Sequence, residues 1–275
     1  MFVEGRMTSI ARRTLLAGGL ALAAAPLATT ALAAPSQPWL AYERRLRTLL
    51  ADPPGGDFDD DFERTLLDLN NLIRRREGAP PLAWDPGLTA AARAHAADMA
   101  TTERFDHLTR EGYSPAGRVG LLARDLVGAP AENIAMRRNA DGAVRSDQIM
   151  NQWRDSPGHR ANLVAPGFTH VGYGVLRQGP RVIAVGAYAE VAARLAAPAP
   201  LRVRGPDEIA RALSNAAPPI RQFSVSEPGG EVLTVTYVEG RPPGVLQPGA
   251  WQLRPHLSSG EHRYQLGWGP VFVLE

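Results

Sequence analysis

The sequence predicts a mixed helix–strand domain over residues 60–191 and a small β-rich domain over residues 201–275, joined at 192–200. Residues 34–59 add a helix and a linker in front. Three observations carry this reading. Apolar residues recur at helical spacing through the first part. Two alternating segments around Gly179-Pro180 read as an antiparallel hairpin. Past the Ala/Pro-rich joint, the texture changes to short strands separated by turns.

Composition narrows the chemistry. The 275 residues include 24 Pro, 27 Gly and no Cys, which excludes a disulfide scaffold, a thiolate metal site and a Cys nucleophile. All 30 basic residues are Arg, so Schiff-base chemistry and a P-loop lysine are absent. The basic sequence pI near 9.3 comes from the leader. Arg6, Arg12 and Arg13 stand against Glu4 in residues 1–33, and beyond them 27 Arg face 27 acids. Neither nucleic acid nor a polybasic membrane patch is implied.

The leader reads as an export signal. Arg12-Arg13-Thr14-Leu15-Leu16 opens an uncharged run from Leu15 to Ala34, whose apolar part, Leu15–Ala25, spans 11 residues before Pro26. Ala31-Leu32-Ala33 supplies the small-x-small cleavage pattern. Residues 1–33 are therefore expected to be a signal peptide of twin-arginine or Sec type, taking the chain to the periplasm or the extracellular space. A run this short is marginal for spanning, so no stable membrane span is expected after cleavage.

The elements follow in order. Trp39–Leu50 reads as a helix with Trp39, Tyr42, Leu46, Leu49 and Leu50 on one face, and 52–57 as a linker. Asp59-Asp60-Asp61 suits the positive end of a helix whose face is Phe62, Leu66, Leu69 and Ile73. Asp85-Pro86 is an N-cap and first-turn proline; the stripe behind it includes Leu88, Ala92, His95 and Met99, with His95 a hydrogen-bonded core histidine. Residues 105–112 form a loop with Phe105 and His107, Pro115–Leu126 a helix, and Ala131–Ala135 a short buried strand. Asp141 is expected to cap a helix ending near Trp153, and Ser156-Pro157 to start another with His159 in its first turn. Phe168–Arg177 alternates, with Val171, Tyr173 and Val175 on one face; Gly172 and Gly174 on the other let a helix pack closely. In the tail, Pro206–Leu213 reads as a helix and 222–226, 231–238, 250–254, 264–266 and 271–274 as strands.

Three side chains stand out for chemistry: His107, Glu132 and His159. Two imidazoles and a carboxylate are what Zn²⁺ needs for three protein ligands and an open water position. Alternatively His107 and His159 hold Zn²⁺ or another divalent metal, and Glu132 acts as general base on bound water. The three are expected to converge on one cleft, with His159 biased toward the neutral, metal-binding form near a helix N-terminus.

The surrounding motifs occur in one order: Asn70/Asn71 with Arg74, Pro81-Leu82-Ala83-Trp84-Asp85, His95 with Met99, Phe105 with His107, Glu132-Asn133-Ile134, Trp153 with Ser156-Pro157-Gly158-His159-Arg160 and Asn162, then Phe168-Thr169-His170-Val171-Gly172. In this the sequence resembles the CAP superfamily, the SCP-like extracellular domain of cysteine-rich secretory proteins, allergens and pathogenesis-related proteins, and most of all its bacterial branch. The resemblance implies an α/β/α sandwich with a small antiparallel sheet between helices. It also implies a cleft lined by two His and two acids. His107, Glu132 and His159 match three of these; the place of the fourth is Ser156, with Asp155 one before it. Arg118 reads as structural, pairing with an acid.

Three functions follow. One is an extracytoplasmic binding module whose cleft takes a divalent metal or a small or lipid-like ligand, such as a lipid, sterol or cell-wall fragment. The second is a metal-assisted, peptidase-like hydrolase, and the third a structural or partner-interaction domain.

Overall fold

The computed structural model describes residues 38–140, 142–238, 246–260 and 263–275. The leader expected at residues 1–33 and Asp141 lie outside them. In chain order the elements are α1 (Pro38–Ala51), α2 (Asp60–Arg76), β1 (Ala83–Trp84), α3 (Pro86–Thr102), α4 (Pro115–Leu122), β2 (Leu126–Arg138), α5 (Ser146–Arg154), α6 (Pro157–Val164), β3 (His170–Gln178), β4 (Arg181–Arg194), β5 (Arg202–Val203), α7 (Pro206–Ser214), β6 (Gln222–Ser226), β7 (Val232–Val238), β8 (Gly249–Gly260), β9 (Arg263–Leu266) and β10 (Val271–Leu274).

Local chemistry starts the helices. The Asp59 side chain accepts from the Phe62 amide, and three acids in the first turn of α2 balance three Arg in its last. Asp85 accepts from Leu88 N at 2.7 Å to open α3, with Pro86 in its first turn. Ser156 and Pro157 open α6 as their sequence suggests. α5 starts at Ser146, where the Gln148 side chain accepts from the Arg145 amide at 3.1 Å.

The first sheet has the order β1-β3-β4-β2. β3 and β4 form the expected antiparallel hairpin, turning at Gly179 with φ 57°. β2 pairs antiparallel with β4 from Leu126 to Arg138, and β1 joins β3 in parallel. β2 is longer than the strand expected at Ala131–Ala135: it runs 13 residues. Glu132, Asn133 and Arg137 interrupt its apolar pattern and hide its length.

Successive residues of the sheet feed two cores. Ile134, Leu176, Ile183 and Val185 pack with Tyr42, Leu46, Leu88, Met99 and Leu121 from α1, α3 and α4. Ala135, Tyr173, Val175, Val182 and Ala184 pack with Leu66, Ile149, Trp153 and Leu163 from α2, α5 and α6. This is an α/β/α sandwich. Both faces of β3 are covered, so Val171–Leu176 is buried without a break. A Cβ at Gly172 would stand 2.0 Å from Thr89 N, and one at Gly174 2.2 Å from Arg93 N. Helix α3 therefore lies backbone to backbone on β3.

The C-terminal region is β-rich, with β5-β10-β8-β6-β7 in order and β9 paired to β8. β8 extends well past the segment expected at 250–254. Its core gathers Ile209, Leu213, Phe223, Val225, Leu253 and Phe272. It touches the sandwich directly. Gly128 and Trp268 exchange backbone hydrogen bonds at 2.8 and 2.7 Å, and Val271 enters the first core. Buried Gln252 accepts from Gly229 N and donates to Ala116 O and Gly269 O. Buried Arg124 donates to Ala199 O and Val271 O, both at 2.7 Å. Among the described residues no helix is long and apolar enough to cross a membrane.

Candidate functional site

Glu132 projects from β2 between Arg118 and two histidines. Its side chain is 4% exposed. Oε1 accepts from His107 Nδ1 at 2.8 Å, and Oε2 from Arg118 Nη2 at 2.8 Å. Burial opposes its ionisation, but the charge of Arg118, then the histidines, hold the carboxyl at about 2. Arg118, on α4, is wholly buried. Burial disfavours its charge, yet the Glu132 carboxylate and the Tyr42 hydroxyl keep its pKa above the ordinary value. Its other bonds reach the Tyr42 hydroxyl and the His107 carbonyl, each at 3.3 Å.

His107 sits on the loop between α3 and α4, with its side chain 46% exposed. Because the ionised carboxylate accepts, Nδ1 carries the hydrogen and Nε2 is the open nitrogen. The bond to Glu132, against partial burial, raises its pKa. His95, on α3, donates from Nε2 to Asp106 O at 3.0 Å and so ties this loop down. The same Nε2 lies 3.7 Å from Glu132. Burial first, then Arg118, lowers His95 to about 4, so it is neutral. Its Nδ1 is buried without a hydrogen-bond partner.

His159 lies in the first turn of α6. Asn133 Nδ2 donates to its carbonyl at 3.0 Å, and Asn162 bonds both Asn133 Oδ1 and Glu132 O, so α6 is pinned to β2. Burial, then the charge of His107, lowers the His159 pKa. Its Nδ1 is also buried and unpartnered.

Asp155 and Ser156 take a different setting. The Asp155 carboxylate accepts from Arg154 Nε at 3.1 Å and is 67% exposed. Both residues line a groove of about 410 Å³ with Arg137, Gln148, Asn151 and Gln152. Among the described residues, no group of three or more His, Asp or Glu side chains is arranged to hold a metal ion.

Arg118 does pair with an acid, as its sequence setting suggests, and that acid is Glu132. His95 is the hydrogen-bonded core histidine expected, and it also borders Glu132. Tyr42 belongs to the network with no sequence signal beyond its place on the apolar face of α1. The geometry makes Glu132 an orienting carboxylate. With both oxygens engaged and its proton affinity this low, it is poorly suited to take a proton from water, and the open basic atom is His107 Nε2.

Comparison with known proteins agrees with the motif order. The model of the cysteine-rich secretory protein family, CAP, matches residues 67–188. The chain is 32% identical over 118 residues to "Uncharacterized protein YkwD" of Bacillus subtilis, covering 43% of this chain and 44% of that one. It is 34% identical over 116 residues to "Uncharacterized membrane protein YlbC" of the same organism, covering 42% of this chain and 32% of that one. This chain thus spans under half the length of either relative. Among solved structures, an extracellular SCP-domain protein of Bacillus anthracis aligns at 27% identity and TM-score 0.40, over 49% of this chain and 44% of that one. An outer surface protein of Borrelia burgdorferi aligns at 18% identity and TM-score 0.43, over 50% and 98%. The family match runs from within α2 to the return strand of the sheet and takes in His107, Glu132 and His159: residues 67–188 are a domain of the CAP, or cysteine-rich secretory protein, family.

Proposed function

We propose that the chain is an exported binding module whose cleft, at His107 and His159, takes a small amphipathic ligand of the lipid, sterol or cell-wall-fragment kind. One observation carries this. The His107 ring is held from behind by buried Glu132, its Nε2 is open, and Phe105 and Leu108, each 43% exposed, flank it on the same loop. A held polar nitrogen on a loop that also carries two exposed apolar side chains suits a ligand with a polar head and an apolar body. Export rests on the leader reading of residues 1–33. The test is solvent extraction and mass spectrometry of the untagged exported protein, with a fluorescent fatty acid as uptake probe. The wild type should carry or take up an amphipathic compound, and Phe105→Ala/Leu108→Ala should lose it without loss of fold. Empty wild-type protein that also refuses the probe sinks this reading.

The same nitrogens favour a second reading. His107 and His159 would offer two imidazoles to Zn²⁺ or another divalent cation, with Glu132 behind His107 as the orienting carboxylate. Such a cation supplies a Lewis acid and an anchor for an anionic group. The missing third protein ligand favours binding over hydrolysis. Metal analysis of the native untagged protein, repeated on His107→Ala/His159→Ala, decides this reading: equal metal content in both ends it.

A further inference from the structure

Helix α1 lies outside the segment that matches the family, yet it reaches the centre of the site. Tyr42 is 2% exposed. Its ring stacks on Tyr113 at 4.2 Å and meets Trp39 edge-on at 6.0 Å. Its hydroxyl accepts from Arg118 Nη1 at 3.3 Å. The other nitrogen of that fork, Nη2, holds Glu132 Oε2 at 2.8 Å and the His107 carbonyl at 3.3 Å. Glu132 Oε1 in turn holds His107 Nδ1 at 2.8 Å. A guanidinium is a rigid planar fork, so fixing one nitrogen fixes the direction of the others. Arg118 is sealed from water, so no solvent molecule replaces a lost acceptor there.

We infer that Tyr42 is a positioning residue for the cleft: through Arg118 and Glu132 it holds the His107 ring in the orientation and tautomer that leave Nε2 open. This makes α1 a working part of the CAP site. The inference rests on the reading that His107 is the ligand-facing group.

The test compares Tyr42→Phe with Tyr113→Phe in otherwise intact, ligand-free protein. Both variants keep their ring in the aromatic stack, but only the first removes an acceptor of Arg118. Long-range proton–nitrogen NMR on histidine-labelled protein, at an alkaline pH where the ring is neutral, reads the His107 tautomer. The wild type and Tyr113→Phe should show the Nδ1–H form. Tyr42→Phe should lower the Nδ1–H to Nε2–H ratio about tenfold or more, the worth of one hydrogen bond from a charged donor. An unchanged tautomer in Tyr42→Phe overturns the inference, and so does an equal change in Tyr113→Phe. The readout needs no ligand. A tautomer change in a protein that refuses the fatty acid probe leaves the positioning role standing and removes the binding reading; the reverse result does the opposite.

Discussion

Arg118 and Glu132 pair at 2.8 Å with side chains only 1% and 4% exposed. Two charges so placed depend on each other, because neither has water to turn to. Breaking such a pair from one side costs far more than the pair contributes to stability.

Glu132→Gln should therefore destabilise the fold by about 3–5 kcal/mol. It should also bring the His107 pKa down toward its ordinary value, since the Glu132 bond is the main cause of its rise. Denaturant unfolding and NMR titration of His107 measure the two effects. A variant within about 1 kcal/mol of wild type would show the pair to be energetically idle.

His95 should make the fold acid-sensitive. Its folded value of about 4 lies below its ordinary 6.5, so the unfolded chain takes up the proton first. The resulting stability is fully present above pH 6.5 and is lost as pH falls toward 4, to the extent of roughly 3 kcal/mol. His107 acts with the opposite sign: its raised pKa adds stability at low pH that disappears as pH rises through its folded value. Between pH 6.5 and 4 the unfolding free energy of wild type should fall by roughly 3 kcal/mol relative to that of His95→Gln. A constant difference would contradict the buried neutral ring.

Gly174→Ala should cost about 1–3 kcal/mol or more, because its Cβ would meet Arg93 N at 2.2 Å and force α3 off the sheet. Gly158, on α6, has nothing within 4 Å of its Cβ position. Gly158→Ala should be neutral or stabilising by about 0.5–1 kcal/mol. Urea midpoints of the two variants test the contrast.

Gln252→Leu should lower stability by roughly 3 kcal/mol, since three hydrogen bonds end at that buried amide. Truncation after residue 200 should lower it further, because Val271 leaves the first core and Arg124 loses an acceptor. Thermal melts of both are the measurement. A truncated chain that melts like the whole would mark residues 192–200 as a true domain border.

Much of the architecture was legible because its signals are local. Asp85-Pro86 announces α3 through a side-chain cap and a first-turn proline, and Ser156-Pro157 announces α6 through its first-turn proline, local signals that need no tertiary context. Gly172 and Gly174 announce a close approach because only glycine leaves that space. The full length of β2 was hidden, since polar residues at Glu132, Asn133 and Arg137 break the strand pattern. His107, Glu132 and His159 were visible as residue types in motif order. That Glu132 is buried and shared between His107 and Arg118 depends on where α4 crosses β2, which spacing along the chain does not encode. Tyr42 was invisible as a site residue for the same reason: its hydroxyl matters only once α1 lies beside α4.

Mobile ions in the surrounding medium weaken attractions between exposed charges over about 8 Å at physiological ionic strength. They have no access to Arg118 and Glu132, which lie behind the protein surface. Only His107, at the outer end of the chain of contacts, meets the electrolyte. The direction in which its ring points is thus insulated from salt, the same in dilute water and in brine.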